Sequence, residues 1–509
     1  MHVIGLRSWL NWKSRGFLCP ELQVRILPSA PRCLVSPFQA RHHAAAAREL
    51  DVIEGETPAA TPLVRRLGLW GVLFLTLSVT TPASSVFVIV PGMFAEAGTG
   101  ALWAMGLAVV VCVATAFIYA ELSSAWPVAG GEYVAVAHTL GPAAGFAMLG
   151  VNVFNNLLFP PVAGLGVAAV LSAAAPGLPA VPVAVAVVAG AALVAVLDIR
   201  VNAWVTGAFL LTEVLALAVV ASVGFAEPAR GAAELLLAPV EATAQGFAPA
   251  SAAGIGLATT IAVFALNGYG AAVYFGEEML DAPRLIARAV LTALVLTLLL
   301  EGLPLLAALI GAPDLRALLT AEDPFGMLVA LRAGDAVAGW VAVGVAVAIV
   351  NAVIAWTVAC ARFFYASGRD GCWGRPVDRW LTAVHPRFGS PWIGTLMVGA
   401  VGVACCFLPL RLLLVLSGTG LLVIYAGIAL AAVAGRRSGR SAHAPYRMPL
   451  HPLAPAVTLA ALGYVAWVSW WDLEEGRPAL IATAAQVGLS FVYYRLVLRR
   501  RGEWTVQSP

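Results

Sequence analysis

Between Arg66 and Glu96 no side chain carries a charge, yet the run is broken near its middle by Thr80-Thr-Pro-Ala-Ser-Ser85. An apolar run of this length is long enough to cross a bilayer as a helix. Pro82, however, removes a backbone donor and disfavours helical geometry at Thr81. In lipid, a broken backbone is tolerated only where it is buried in protein or lines a cavity. The chain is therefore expected to enclose this segment within other helices. Residues Pro82 to Ser85 are then expected to supply polar groups at mid-membrane.

The rest of the chain agrees. It has 509 residues, of which 61% are hydrophobic and 11% charged, whereas soluble domains carry roughly a quarter charged residues. Apolar runs at 68–96, 101–122, 143–173, 180–197, 202–226, 252–279, 285–311, 338–366, 392–409, 412–434, 452–471 and 479–498 predict about twelve membrane helices. Lys13 is the only lysine, so orientation rests on arginine. Placing the N-terminus inside puts Arg65-Arg66, Arg375 to Arg387, Arg436 to Arg447 and Arg499 to Arg501 on the inner face. Arg230, Arg316, Arg332, Arg411 and Arg477 are left outside. That asymmetry predicts that both ends are cytoplasmic in the cell membrane. The longest outer connections are 227–251 and 312–337, and the second is expected to cap the outer mouth. Residues 1–64 are expected to be a disordered cytoplasmic extension, 65–500 the membrane domain and 501–509 a cytoplasmic tail.

A second interruption, Asn267-Gly-Tyr-Gly270, lies five spans after the first. Interrupted segments at corresponding places in two halves are the sequence pointer to a transporter site. The fold class expected is thus an all-α polytopic membrane protein. Spans over 68–226 and 252–434 would form a five-plus-five inverted-repeat core, with two extra helices over 452–498. The seven cysteines form no Cys-x-x-Cys pair, and the seven histidines fall outside the spans or at their edges. No metal, cofactor or nucleic-acid partner is expected. A membrane-embedded enzyme is the remote alternative, since nothing within the spans reads as a nucleophile–base pair.

Three stretches resemble the amino acid–polyamine–organocation (APC) superfamily of permeases. Tyr119-Ala-Glu-Leu-Ser-Ser-Ala-Trp-Pro-Val-Ala-Gly-Gly-Glu-Tyr133 with Leu140-Gly-Pro142 resembles the loop after that family's second helix. Gly268-Tyr-Gly270 with Phe275-Gly-Glu-Glu278 resembles its sixth helix. Ala361-Arg-Phe-Phe-Tyr-Ala-Ser-Gly-Arg-Asp-Gly371 with His385-Pro-Arg-Phe-Gly-Ser-Pro391 resembles the end of its eighth helix and the next loop. The resemblance implies a transporter of an amino acid or related amine that works by alternating access between two faces. Its glycine-rich first break, whose amides hold a substrate carboxylate, corresponds here to Ala83-Ser84-Ser85, a departure that brings a polyamine or other organocation into play as substrate. The resemblance also implies that carbonyls of Phe264, Ala265, Leu266 and Asn267 face a substrate ammonium, with Phe264 as an aromatic gate. Asn155 and Asn156 match a polar region of the third helix. Trp356 falls where related antiporters place a substrate-facing indole, which would hold an ammonium by cation–π attraction.

Glu213 is the sharpest single candidate. It lies about 20 Å along its helix from Arg200, near the bilayer centre. A carboxylate there is expensive unless paired or protonated, which suits a proton carrier and makes H+ the expected coupling partner. Glu301, beside Gly302 and Pro304, is expected to satisfy a local kink. Glu121, Glu132, Glu277 and Glu278 are expected to pair with Arg362, Arg369 and Arg284 at inner helix ends.

Overall fold

The computed structural model describes residues 62–174, 177–502 and 504–507. The expected extension over 1–64 falls almost wholly outside the described residues, as does part of the tail over 501–509. Among the described residues, nine helical stretches are long and apolar enough to cross a membrane; the first of them, Leu69–Ala125, holds two spans, and Ala180–Ala195 and Trp392–Cys405 are shorter apolar helices. Together these make the twelve spans expected. Large apolar side chains point outward along them, with Trp204 74% and Trp340 76% exposed. Such a surface suits lipid and would be costly against water.

The first span begins with α1 (Leu69–Thr80) and ends with α2 (Val90–Ala97). Between them Thr81 alone leaves the right-handed helix, at φ 44° and ψ 67°. Pro82–Ser84 is already helical and runs into a wider turn over Ser85–Ile89. The expected break over Pro82 to Ser85 is thus corrected to one residue. The pre-proline residue is the one pushed out of the helix, and proline at the first position of the next segment loses no hydrogen bond it would have made.

Helices α3 (Ala101–Ala125), α4 (Glu132–Leu140), α5 (Pro142–Ala174), α6 (Ala180–Ala195) and α7 (Ile199–Ala226) complete the first half. A two-stranded hairpin, β1 (Val240–Thr243) with β2 (Gly246–Pro249), follows with Val240 opposite Pro249. The sixth span opens with α8 (Ala252–Ala265) and resumes as a 3-10 stretch over Tyr269–Glu278. Gly268, at φ 120°, joins the two. A Cβ there would lie 2.7 Å from the Thr80 Cα, so only glycine lets the two breaks touch.

The chain continues through α9 (Ala282–Gly311), α10 (Pro324–Ala333), α11 (Asp335–Arg369) and α12 (Trp392–Cys405). The tenth span is itself divided, into α13 (Leu410–Ser417) and α14 (Gly420–Ser438). A single helix over 412–434 was expected there. Helices α15 (Leu453–Trp471) and α16 (Gly476–Tyr493) end the bundle.

Two contacts close the ends of the broken spans. At the arginine-rich end the amides of Arg66 and Leu67 both donate to the Glu278 carbonyl at 2.8 Å, and Leu280 N–H donates to the Leu67 carbonyl at 2.8 Å. At the opposite end Phe325 of α10 is fully buried, with ring centroids 5.5 Å from Phe87 and 5.8 Å from Phe94. The 312–337 connection therefore lies over the first span, where a cap on that end has to be.

Candidate functional site

The first break is organised by a carboxyl group. Because Thr81 turns out of the helix, the next segment starts afresh and its first amides have no carbonyl one turn back. The Ala83 amide donates to Glu213 Oε1 at 2.8 Å, across 130 residues of sequence. Glu213 on α7 is fully buried, and its Oε2 has no hydrogen-bond partner among the described residues. A carboxylate suits the positive end of a helix, and the break supplies that end at mid-span. Nearby, Asn351 of α11 donates to the Ser78 hydroxyl at 2.8 Å and to the Thr206 carbonyl at 3.1 Å. It thereby joins α1, α7 and α11 just before the break.

The second break meets the first. Ser85 Oγ donates to the Ala265 carbonyl at 3.0 Å, and Asn267 N–H donates to the Phe264 carbonyl at 3.2 Å. Two of the carbonyls expected to face an ammonium are therefore already engaged. Leu266 is fully buried. Asn267 Oδ1 accepts from Tyr425 of α14 at 2.6 Å. Ser84 is half-buried beside these groups. Phe264 stands apart: the residue is 56% exposed and lies off the face of α8 that packs through Ala258, Ala262 and Ala265. The expected gate over the site is not formed by its side chain in this conformation. The helical period, not its neighbourhood in sequence, decides which way it points.

Trp356 is buried as expected, but its indole is engaged. Nε1 donates to the Asn156 carbonyl at 3.0 Å, and Phe159 lies 4.9 Å away ring to ring. The Asn156 side-chain amide is buried, with both polar atoms unpartnered among the described residues. Asn155 is half-buried, its Cβ facing Gly420 at the divided tenth span. Glu301 of α9 is fully buried with both oxygens unpartnered among the described residues, within electrostatic reach of Glu213 and beside Ser85. It belongs to the surroundings of the first break rather than to a kink of its own.

At the arginine-rich end three glutamates have cationic partners. Arg362, fully buried, donates to both Glu278 oxygens, at 2.7 and 3.1 Å. Arg369 pairs with Glu277, and Arg436 grips Glu121 at 2.9 and 2.6 Å. Arg284 pairs with Asp281 on the surface instead of with a glutamate. Glu132 departs from the expectation: it accepts from Tyr119, Tyr274 and Asn152, all neutral donors. Sequence position had placed it among the charged pairs, and only the fold shows that no arginine among the described residues reaches it.

The comparisons with known proteins agree with this architecture. The family model described as amino acid permease matches residues 67–487. An uncharacterized transporter of Mycobacterium tuberculosis is 30% identical over 72% of this chain and 79% of its own. The methylthioribose transporter of Bacillus subtilis is 25% identical over 73% of this chain and 83% of its own. The low-affinity putrescine importer of Escherichia coli is 24% identical over 76% and 84%. With broken first and sixth spans meeting at mid-bundle and a family match across nearly all of its helices, the chain belongs to the amino acid permease family of the APC superfamily and is a multi-pass membrane transporter.

Proposed function

We propose that the protein is a proton-coupled secondary active transporter of an amino acid or related amine, working by alternating access around the two broken spans. Its repeats cover 68–226 and 252–434, with extra helices over 452–498, and it sits in the cell membrane with both ends in the cytoplasm. The observation that carries this reading is the Ala83 amide donating to Glu213. It sets a buried carboxyl, with one oxygen free, at the junction that must rearrange during transport. Ionising such a group in the membrane interior is costly, so gain and loss of a proton there biases the conformation of the break.

A second reading, that the substrate is an organocation without a carboxylate, is favoured by the same hydrogen bond. Where the resemblance implies that a break amide holds a substrate carboxylate, Glu213 already supplies one. Methylthioribose and putrescine, named for two relatives, carry no carboxylate either. A thermal-shift screen of the purified protein against amino acids and amines separates the two substrate classes. Uptake of the stabilising solutes into proteoliposomes then tests coupling. Glu213→Gln is expected to cut accumulation driven by a pH gradient by about tenfold or more, the effect of losing one proton-linked step. Unchanged proton dependence would remove Glu213 from the mechanism.

A further inference from the structure

Glu132 is a buried acid that the site around the first break does not use. It is the first residue of α4, 5% exposed, and is wedged between α3, α5 and the 3-10 stretch of the sixth span. Tyr119 of α3 donates to Oε1 at 2.9 Å, while Tyr274 at 2.9 Å and Asn152 Nδ2 of α5 at 3.2 Å donate to Oε2. Three donors satisfy an ionised carboxylate without a cation. The Asn152 Oδ1 atom, also buried, has no partner among the described residues. Turning that amide over would present an acceptor to Glu132, and a protonated carboxyl needs one. Both protonation states can thus be hydrogen-bonded by the same three side chains. A cavity of about 10 Å³, bordered by Glu132, Tyr119, Ser123 and Trp126, adjoins the carboxyl; that is room for about one water.

We propose that Glu132 with Asn152 is a second proton-binding site, separate from Glu213. It lies towards the arginine-rich end, beside the small cavity, which has room for the water that would take up or deliver its proton. The inference rests on the proton-coupled reading only for its use in transport; proton binding itself stands without it. The site is joined to the second break twice. Tyr274 belongs to the 3-10 stretch, and the Tyr119 ring lies against Gly270, where a Cβ would come within 2.8 Å of it. Protonation withdraws the ionised acceptor from both phenols and so acts on the inner half of the sixth span.

The other titratable groups around it are held elsewhere. Glu121 of α3 is tied to Arg436, Glu277 and Glu278 of the 3-10 stretch to Arg369 and Arg362 of α11. Tyr133, beside Glu132 on α4, donates to Asp370, and the His138 ring stacks on Trp126. Tyr425 of α14 donates to Asn267, and Cys360 of α11 is buried near Tyr274. Burial pushes the Glu132 carboxyl above its usual range, and hydrogen bonds from its own backbone, Tyr119, Tyr274 and Asn152 pull it back.

Infrared difference spectra of the purified full chain, recorded on titration from about pH 5 to about pH 9, test the site directly. A titrating carboxyl band is expected in the wild type and in Glu213→Gln, and its loss is expected in Glu132→Gln. Should Glu132→Gln fail to fold, Tyr274→Phe carries the test. It removes one donor from the ionised form, so the band's midpoint should rise by about one pH unit. Superposable wild-type and Glu132→Gln spectra, or an unmoved midpoint in Tyr274→Phe, would overturn the proposal. Failure of Glu213 as the coupling group would appear in uptake and leave this band in place.

Discussion

At the scale of single residues, what separates the buried polar groups is which partner each has found. Trp356 and Ser85 have theirs in neighbouring backbones; among the described residues Glu213, Glu301 and Asn351 keep oxygens unpartnered. That contrast ranks them. Trp356 ties α11 to α5 through Asn156, so Trp356→Phe should lower stability by about 1–2 kcal/mol, one neutral hydrogen bond plus some contact area. Thermal melting in detergent measures this, and an unchanged melting temperature would mean that the indole is free for another role. Sequence alone marks Glu213 as costly, because a lone acid in an apolar helix needs no fold to be noticed. Its partner, an amide 130 residues away, cannot be read from a line of residues. Glu132 is the converse case, since near a cluster of arginines every glutamate looks paired until the geometry shows which of them is reached.

At the scale of elements, the breaks illustrate what local chemistry does and does not determine. Proline and glycine carry strong backbone constraints, so Pro82 and Gly268 announce interruptions in the first and sixth spans without tertiary information. Where within Thr80 to Ser85 the helix gives way is a finer matter, resolved at Thr81 by the clash with the following proline ring. The division of the tenth span between Ser417 and Gly420 was missed. Gly418-Thr-Gly420 is short and flanked by leucines, and an apolar run hides it. Gly268 is the element-scale test. Gly268→Ala puts a methyl on a left-handed backbone and into the Thr80 Cα, and should cost about 1–3 kcal/mol for the strained dihedrals alone. The loss is read as a lowered melting temperature; full stability would mean that the two breaks can separate freely.

At the scale of the whole molecule, twelve spans and the distribution of arginine make one testable statement about orientation. The clusters Arg65-Arg66, Arg436-Arg437 and Arg499 to Arg501 share the end where Arg362, Arg369 and Arg436 pair with glutamates. The positive-inside rule puts that end in the cytoplasm. A reporter fused after Pro509 that is active only in the cytoplasm should be active, and one active only outside should be silent; the reverse pattern would invert the proposed topology. The same end holds the pairing of Leu67 with Glu278 and Leu280. Its consequence is mechanical. The halves of the first and sixth spans at that end are hydrogen-bonded to each other there, and they pack tightly again where Thr80 meets Gly268. Two rods pinned at both ends behave as one lever. Under the alternating-access reading proposed above, opening that end would therefore move both together.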